Sequence, residues 1–283
     1  MCYFDGMKKI LSNGKITNGH DLSLEFWSSL ENAPHRLLAL DYDGTLAPFH
    51  LDPSKAFPVA GVKMVLQNLT TLPHDSVAII SGRPVQELSR LLGRLEAMYV
   101  GSHGFERLSP LGELAVKQPT VIQRRGLERA YDWASVLGFR TALETKVASL
   151  ALHTRPMNPD AATRSEALCL EQWTAIAAEH ELECRRFNGG VEIRSLGRHK
   201  GNALLDLISE APVGTFAVYV GDDDTDEDAF KAVKAHGVGI KVGPAPNGTL
   251  ADWSLADCSA VKTFLSTWYD FITADHQRGN RRT

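Results

Sequence analysis

Short apolar runs recur along the chain, and each of them ends abruptly at a small or acidic residue. The runs are LLAL before Asp41, VAII before Ser81, MYV before Gly101, FAVYV before Gly221 and VGIKV before Gly243. Continuous rather than alternating hydrophobicity is typical of strands that are covered on both faces, as in a parallel sheet. Helix-like stretches at 61–72, 84–95 and 225–236 follow some of these runs. This order predicts an α/β fold with a Rossmann-like, doubly wound parallel sheet.

The middle of the chain follows a different pattern. Helix candidates at 119–137 and 160–180 alternate with pairs of extended segments at 141–155 and 182–195. The second pair surrounds Asn188 and Gly189, and Asn-Gly between extended runs is the strongest short signal for a hairpin. The order helix, hairpin, helix, hairpin predicts a compact α+β unit inserted into the sheet domain.

These patterns divide the chain into a sheet domain at 34–111 and 196–275 and an inserted α+β domain at 112–195. Residues 1–33 form an N-terminal extension that ends in an accessory helix, since Phe26, Trp27 and Leu30 give this segment one apolar face that can pack on the sheet. Residues 276–283 form a C-terminal tail.

Composition and charge exclude several classes of protein. Among the 283 residues, 30 basic against 34 acidic side chains give a net charge of -4, so no overall positive field attracts nucleic acid or an anionic membrane. The cysteines Cys2, Cys169, Cys184 and Cys258 have neither disulfide-framework nor zinc-site spacing. The first twenty residues lack the apolar core of a signal peptide, and no run is long enough to span a membrane. We therefore expect a cytoplasmic protein without nucleic-acid or membrane partners.

Two aspartates follow the first apolar run, in the stretch ALDYDGT. Side chains at i and i+2 of an extended strand point the same way, so Asp41 and Asp43 can share a pocket at the carboxyl end of the strand. Open α/β sheets bind ligands at this edge. Two carboxylates this close repel unless one takes up a proton or a cation joins them. Mg²⁺ meets that need, because it prefers oxygen ligands and is often held together with substrate phosphate.

A second acidic group leaves the fourth run, in VYVGDDDTDEDAF. Thr225 and Asp228 have the spacing of a capping box, which gives Asp226 a structural reason to lie in the first turn of a helix. Asp222 and Asp223 precede that cap, at the strand exit. Together with the aspartates of DYDGT they favour a metal site over a purely structural explanation.

Two further stretches supply what an acidic site lacks. Ser81, in IISGRP, carries a hydroxyl that can donate to a phosphate oxygen, and Gly82 permits close approach of the backbone. Lys200, in RHKGNALLDL, lies just before a helix candidate. Its ammonium can neutralise charge on a phosphoryl group and on a neighbouring aspartate.

The stretches DYDGT, SGR, the lysine of HKG and GDDDTDE, in this order and with an insertion after the second, closely resemble the four signature motifs of haloacid dehalogenase superfamily phosphatases. The resemblance implies that Asp41 is the nucleophile and forms an aspartyl-phosphate. It implies that Asp43 is the general acid and then the base for water, while Ser81 and Lys200 hold the phosphate.

The same resemblance implies a Mg²⁺ cofactor. The ion would be bound by Asp41, by the backbone carbonyl of Asp43 and by Asp222, and Asp223 or Asp226 would support these ligands. Phosphoryl transfer asks mainly for alignment and charge neutralisation, which the ion and a lysine provide.

The insertion lies where this superfamily carries a C2-type cap that reads the substrate. The segments LALDYDGTLAPF, GSHGFE, HTR, GGVEIR and VGDDDTDEDAF resemble trehalose-6-phosphate phosphatases over most of residues 36–265. This second resemblance implies hydrolysis of trehalose 6-phosphate to trehalose and phosphate, in trehalose biosynthesis. The candidate substrate-binding residues are Gly82, Arg83, His103, Gly104, Glu106, Lys146, Arg155 and Glu192.

Polar side chains interrupt the apolar strands of the insertion in pairs. Alternation predicts that the members of each pair share one face of a sheet, and the pairs are Glu144 with Lys146, His153 with Arg155, and Glu192 with Arg194. Such a face either binds sugar hydroxyls or forms an exposed surface of salt bridges. The chain departs from the trehalose-6-phosphate phosphatase pattern at Thr154 and at Arg198 and His199. None of these three residues has a predicted catalytic role, so the departures concern the identity of the sugar and not the chemistry.

Several other functions remain open at this point. The nearest is a phosphatase of another sugar phosphate, such as sucrose 6-phosphate or a glycosyl-phosphoglycerate. A phosphotransferase or mutase would use the same first step. A non-catalytic sugar-phosphate sensor would keep the fold but typically lose the nucleophile or the acid, and both aspartates are present here.

Overall fold

The computed structural model describes residues 23–187, 189–244 and 248–279. Within these residues the main sheet has eight strands in the order β12-β11-β10-β1-β2-β3-β4-β5. The strands are β1 (Arg36–Leu40), β2 (Asp75–Ile80), β3 (Met98–Gly101), β4 (Glu106–Leu108), β5 (Leu114–Val116), β10 (Phe216–Gly221), β11 (Gly237–Val242) and β12 (Trp253–Leu255). From β12 to β3 all neighbours are parallel, whereas β4 and β5 extend the edge antiparallel.

Helices cover both faces of the main sheet. They are α1 (Leu24–Asn32), α2 (Val62–Leu69), α3 (Val85–Leu92), α6 (Lys200–Glu210), α7 (Glu227–Val233) and α8 (Cys258–Gly279). Along β1, Leu38 and Leu40 pack in one cluster with α1, α2, α3 and α8, and Leu37 and Ala39 pack in another with α6 and α7. Burial on both faces explains why the sequence of this strand is apolar without alternation.

A smaller sheet lies between β5 and α6 in the chain. Its strands β6 (Leu143–Thr145), β7 (Ser149–His153), β8 (Leu182–Phe187) and β9 (Gly190–Ser195) are antiparallel, in the order β6-β7-β9-β8. Helices α4 (Val121–Val136) and α5 (Pro159–Glu179) pack on one face of this sheet, over a separate apolar cluster that includes Leu150, Trp173 and Ile193. The other face turns toward the main sheet and lines a cavity.

The α/β fold with a parallel sheet is confirmed, and the α+β pattern of the insertion is present as predicted. The strands β4, β5 and β12 were not predicted, because each has only three residues. Strands β8 and β9 pair as the expected hairpin, while Asn188 lies outside the described residues. The division of the chain into domains at 112–195 stays a prediction.

Helix α1 has the predicted apolar face, since Phe26, Trp27 and Leu30 are its buried residues and pack in the main core. Phe26 and Trp27 are almost fully buried, and their rings contact Phe264 and Trp268 of α8 edge-on or tilted. Residues 1–22 of the predicted N-terminal extension and residues 280–283 of the predicted tail lie outside the described residues, whereas residues 276–279 continue α8. Of the helices in the described part of the chain, none is long and apolar enough to cross a membrane.

Candidate active site

The carboxyl edge of the main sheet collects the side chains singled out in the sequence. Asp41 follows β1, Ser81 follows β2, Asp222 follows β10, and Lys200 begins α6. All of them line a cavity of about 1320 Å³, whose opposite wall is the free face of the smaller sheet. Parallel strands bring residues that are far apart in sequence to one edge, which is where ligands bind in such sheets.

Lys200 joins two aspartates below this cavity. Its Nζ lies 2.9 Å from Asp41 Oδ1 and 2.8 Å from Asp226 Oδ1, and all three side chains are buried. Burial alone would lower the pKa of Lys200, but the charges of Asp226 and Asp41 raise it well above its usual range. The ammonium therefore stays charged beside Asp41.

Asp226 uses both of its oxygens within the protein. Oδ1 accepts from Lys200 and, at 2.5 Å, from the hydroxyl of Tyr219. Oδ2 accepts from the backbone N–H groups of Asp222 and Asp223, each at 2.9 Å. A carboxylate that accepts four hydrogen bonds fixes the loop after β10 and the lysine at the same time.

Asp222 lies directly across from the loop that carries Asp41. Gly44 has a φ of +75°, and a Cβ there would lie 2.0 Å from Asp222 Oδ2, so only glycine permits this approach. Thr45 Oγ1 lies 3.5 Å from Asp222 Oδ1. Burial first, and then the charges of Asp226 and Asp223, raise the pKa of Asp222 to about 7.

Oxygen atoms of Asp41, Asp222 and Asp226 lie within 4.8 Å of one another. Burial is also the main reason why the pKa of Asp41 is raised well above its usual range, against the lowering effect of Lys200. Crowded carboxylates with raised pKa values and oxygen donors alone fit a hard divalent cation, whose charge would favour their ionised forms. Because Asp226 is saturated by hydrogen bonds, Asp41 and Asp222 are the two that retain free lone pairs for an ion.

Asp223 has a structural role that corrects the sequence interpretation. It is the N-cap of a 3₁₀ turn at Asp224–Asp226, where its Oδ1 accepts from the N–H of Thr225 at 2.7 Å. The capping box therefore pairs Asp223 with Asp226, and not Thr225 with Asp228. The 3₁₀ turn leads directly into α7. Helix α7 has no side-chain cap of its own, so the cap at Asp223 precedes both elements.

Asp43 is in direct contact with Arg83, and both residues line the cavity. Arg83 donates from Nε to Asp43 Oδ2 at 2.6 Å and from Nη2 to Asp43 Oδ1 at 2.7 Å, which is a bidentate pair. Arg83, expected to bind substrate, is thus held by the predicted general acid.

Ser81 and Gly82 lie beside the same turn. Ser81 is buried, lines the cavity and accepts from the N–H of Arg83 at 3.2 Å. A Cβ at Gly82 would lie 2.8 Å from the ring of His103. Glycine is needed here for the approach of a histidine ring, whereas the sequence suggested the approach of a ligand.

His103 connects the two sheets. Ser102 and His103 both have left-handed φ values, 49° and 55°, which is strained for residues other than glycine. This turn places His103 Nε2 at 3.1 Å from Glu192 and Nδ1 at 3.2 Å from Arg194, both on β9. An arginine can only donate, so Nδ1 accepts and Nε2–H donates to Glu192. Burial is the first cause that lowers the pKa of His103, which agrees with a neutral ring.

The wall opposite the aspartates is a network around Glu192. Its carboxylate accepts from Ser149 at 2.8 Å and from Lys146 at 3.3 Å, besides His103. Burial alone would raise the pKa of Glu192, but Lys146 first, and His103 next, hold it well below its usual range. Glu144 adds a second carboxylate, 2.7 Å from His153 Nε2.

The predicted alternation holds for only part of this wall. Glu192 and Arg194 share one face of β9. Lys146 and Arg155 instead follow the ends of β6 and β7 and reach the cavity from loops. Arg155 lies over the ring of Phe49 on the main-sheet side, with its Cζ 5.4 Å from the ring centre.

Two predicted substrate residues do not line the cavity. Glu106 accepts from Ser102 Oγ at 2.7 Å and from the N–H of Val85, so it holds the turn that carries His103. Gly104 lies against Ala203, and a Cβ there would be 3.2 Å away from that side chain. Both residues therefore contribute to the site indirectly, through the turn that carries His103.

Sequence reasoning missed Lys241, which is buried on β11 and lines the cavity. Its Nζ donates to the backbone carbonyl of Asp222. A lysine inside the apolar run VGIKV, next to the acidic strand exit, was a readable signal. Ser149 was also missed, and its small side chain carries no comparable signal.

The family model described as trehalose-phosphatase matches residues 39–259, a span that includes every part of the site above. The chain belongs to the trehalose-phosphatase family.

Individual relatives agree with this family. A bifunctional trehalose-6-phosphate synthase/phosphatase of Thermoproteus tenax is 34% identical over 243 residues, which cover 84% of this chain and 32% of that protein. The chain thus spans about a third of the length of this relative.

Solved structures show the fold. The C-terminal domain of the Candida albicans trehalose-6-phosphate phosphatase matches with a TM-score of 0.74 at 23% identity, over 87% of this chain and 96% of that one. A haloacid dehalogenase-like hydrolase from Bacteroides thetaiotaomicron matches with a TM-score of 0.58 at 16% identity, over 82% and 98%. The main sheet therefore has the haloacid dehalogenase fold.

Proposed function

We propose that the protein is a Mg²⁺-dependent phosphatase that hydrolyses trehalose 6-phosphate to trehalose and phosphate in trehalose biosynthesis. One observation carries the proposal: Asp41, held by Lys200 and crowded by Asp222, faces a cavity whose other wall is a network of paired charges. Membership of the trehalose-phosphatase family supports the same substrate.

The first chemical step uses Asp41 and Asp43. An oxygen of Asp41 attacks phosphorus as the bond from phosphorus to the sugar oxygen breaks, and Asp43 gives a proton to that oxygen. Lys200 and Ser81 hold the phosphoryl oxygens. Splitting one hard displacement into two easier ones is the advantage of a covalent intermediate.

The second step releases phosphate. Water attacks the phosphorus of the aspartyl-phosphate and passes a proton to Asp43, and the bond to Asp41 breaks, which regenerates the carboxylate. Proton transfer by a positioned carboxyl is typically worth about 10²- to 10⁴-fold in rate.

The metal would be held by Asp41 and Asp222 through their carboxylates and by Asp43 through its backbone carbonyl. Asp223 and Asp226 would support these ligands through the loop that they fix. When bound, Mg²⁺ neutralises charge on the phosphoryl group and on the aspartates.

The sugar would be read by the network on the opposite wall. His103, Lys146 and Glu192 form paired donors and acceptors that suit uncharged hydroxyl groups, and Arg155 stands at the mouth of the cavity beside Phe49. A disaccharide offers many hydroxyls and no charge beyond its phosphate, which matches this balance.

A panel of sugar phosphates, assayed for phosphate release with and without Mg²⁺, tests the proposal. We expect the highest kcat/KM for trehalose 6-phosphate and loss of activity on chelation. A preference of about tenfold or more for sucrose 6-phosphate or a glycosyl-phosphoglycerate would overturn the substrate. Saturable binding without turnover would identify a sensor, and phosphate that carries no oxygen from isotopically labelled water would identify a phosphotransferase.

A further inference from the structure

Arg83 binds the side chain of Asp43, the general acid of the proposed reaction. Its Nε and Nη2 bind the two carboxylate oxygens of Asp43 at 2.6 and 2.7 Å, in the parallel geometry that only a guanidinium provides. Two such bonds fix both the position and the plane of the Asp43 carboxyl.

Arg83 is itself held on its remaining side. Nη1 donates to Glu87 at 2.7 Å and to the backbone carbonyl of Pro53 at 2.9 Å, and the guanidinium lies over the ring of Tyr42. Its side chain is only 10% exposed. With each of these nitrogens engaged, little donor capacity remains for a sugar.

We propose that Arg83 is a positioning residue that orients Asp43 toward the leaving-group oxygen, and that Glu87 fixes Arg83 in turn. This inference rests on the proposed phosphatase chemistry and goes beyond it, because it removes Arg83 from the set of sugar-binding residues. In the acid form of Asp43 one oxygen carries the proton and the other keeps its bond to Arg83; when the proton has passed to the leaving oxygen, the carboxylate accepts from Arg83 at both oxygens, as in this structure.

The consequence is a dependence on the leaving group. A phenolate-like or sugar oxygen is basic and needs a proton as it departs, whereas p-nitrophenolate leaves without one. Loss of orientation at Asp43 therefore slows substrates with basic leaving groups selectively. Loss of sugar contacts would not change the ranking of substrates that carry no sugar.

The experiment measures kcat/KM for a series of aryl phosphates, from p-nitrophenyl to phenyl phosphate, in the full chain with Mg²⁺. For Arg83→Lys, which keeps the charge but not the two parallel bonds, we expect a loss of about tenfold or more on phenyl phosphate and below about threefold on p-nitrophenyl phosphate. Glu87→Gln should steepen the same slope by a smaller amount. Its partly exposed position makes it the variant that tests the proposal if Arg83→Lys does not fold.

Arg90→Lys is the matched control. Arg90 also pairs with Glu87, at 3.7 Å, but its side chain is 61% exposed and lies outside the cavity lining. Its slope should equal that of the wild type. Parallel lines for the wild type and the folded Arg83 or Glu87 variants would overturn the positioning role alone. A wild type that releases phosphate neither from the sugar phosphates nor from any aryl phosphate would count against the phosphatase chemistry as well.

Discussion

The two walls of the cavity differ in how their charges are balanced. On the main-sheet side, Asp41, Asp222, Asp223 and Asp226 outnumber Lys200 and Lys241 among the described residues, and the pKa values of Asp41 and Asp222 are raised. On the opposite wall, the acidic side chains are paired with basic ones, and the pKa of Glu192 is held low. On the first wall the carboxylates outnumber the basic groups, whereas on the second wall the carboxylates have basic partners.

This difference separates chemistry from recognition. A surplus of buried carboxylates is costly unless a cation joins them, which supports the proposal that an ion and a phosphoryl group bind at this wall. A network of ion pairs offers hydrogen-bond donors and acceptors side by side, which suits the hydroxyl groups of a sugar. Changes on the first wall should therefore affect every substrate, and changes on the second wall should affect sugar substrates selectively.

The largest effect is expected from Asp41→Asn. The change is nearly isosteric, and Asp226 still holds Lys200, so the fold should persist in circular dichroism and thermal unfolding. Phosphate release should fall by about 10⁴-fold or more on trehalose 6-phosphate and on p-nitrophenyl phosphate alike, since the nucleophile is gone. A folded variant that keeps substantial activity on either substrate would contradict the mechanism.

A smaller and selective effect is expected from Glu192→Gln. The amide cannot accept from Lys146, Ser149 and His103 as the carboxylate does, so sugar contacts on this wall should be disturbed. We expect kcat/KM for trehalose 6-phosphate to fall by about 10- to 100-fold, with p-nitrophenyl phosphate changed by less than about threefold.

Glu166→Gln provides the control for this experiment. Glu166, on α5, also accepts hydrogen bonds from two side chains, those of Thr154 and Arg186, but does not line the cavity. Its substrate ranking should match that of the wild type. Equal losses on both substrates for Glu192→Gln would contradict the assignment of sugar recognition to the second wall and of the chemistry to the first.

The smallest effect concerns His103 and pH. Burial lowers the pKa of His103 in the folded protein, so the unfolded chain takes up a proton first as pH falls through about 6.5. His103 therefore makes the free energy of unfolding decrease below that pH, with a slope of at most about 1.4 kcal/mol per pH unit. Urea unfolding between about pH 7.5 and 5.5 should show a larger loss for the wild type than for His103→Gln. An equal or larger loss in the variant would contradict a neutral, buried ring.

The sequence predicted the first wall well because its residues follow from topology. Asp41, Ser81 and Asp222 each end a buried apolar run, and parallel strands bring such ends together whatever the loops do. Lys200 could be recognised from its place in the order of motifs. The capping role of Asp223 could not, since a cap and a metal-site carboxylate have the same local sequence.

The second wall was less predictable because it depends on long-range geometry. The left-handed backbone of Ser102 and His103 turns the histidine into the cavity and Glu106 away from it, and no residue pattern signals that turn. On the main-sheet side, the pair between Arg83 and Asp43 has the same cause, because it joins residues forty positions apart. Lys146 and Arg155 reach the site from loops, where alternation along a strand no longer applies.

Covalent trapping is the most direct test of whether Asp41 is the nucleophile. The protein is mixed with trehalose 6-phosphate labelled in its phosphate, quenched in acid within a turnover and digested, and the labelled peptide is sequenced. We predict label on the peptide that contains Asp41, lost when unlabelled substrate is added and absent in Asp41→Asn. Continued phosphate release with no labelled peptide, or label on a different side chain, would contradict Asp41 as the nucleophile.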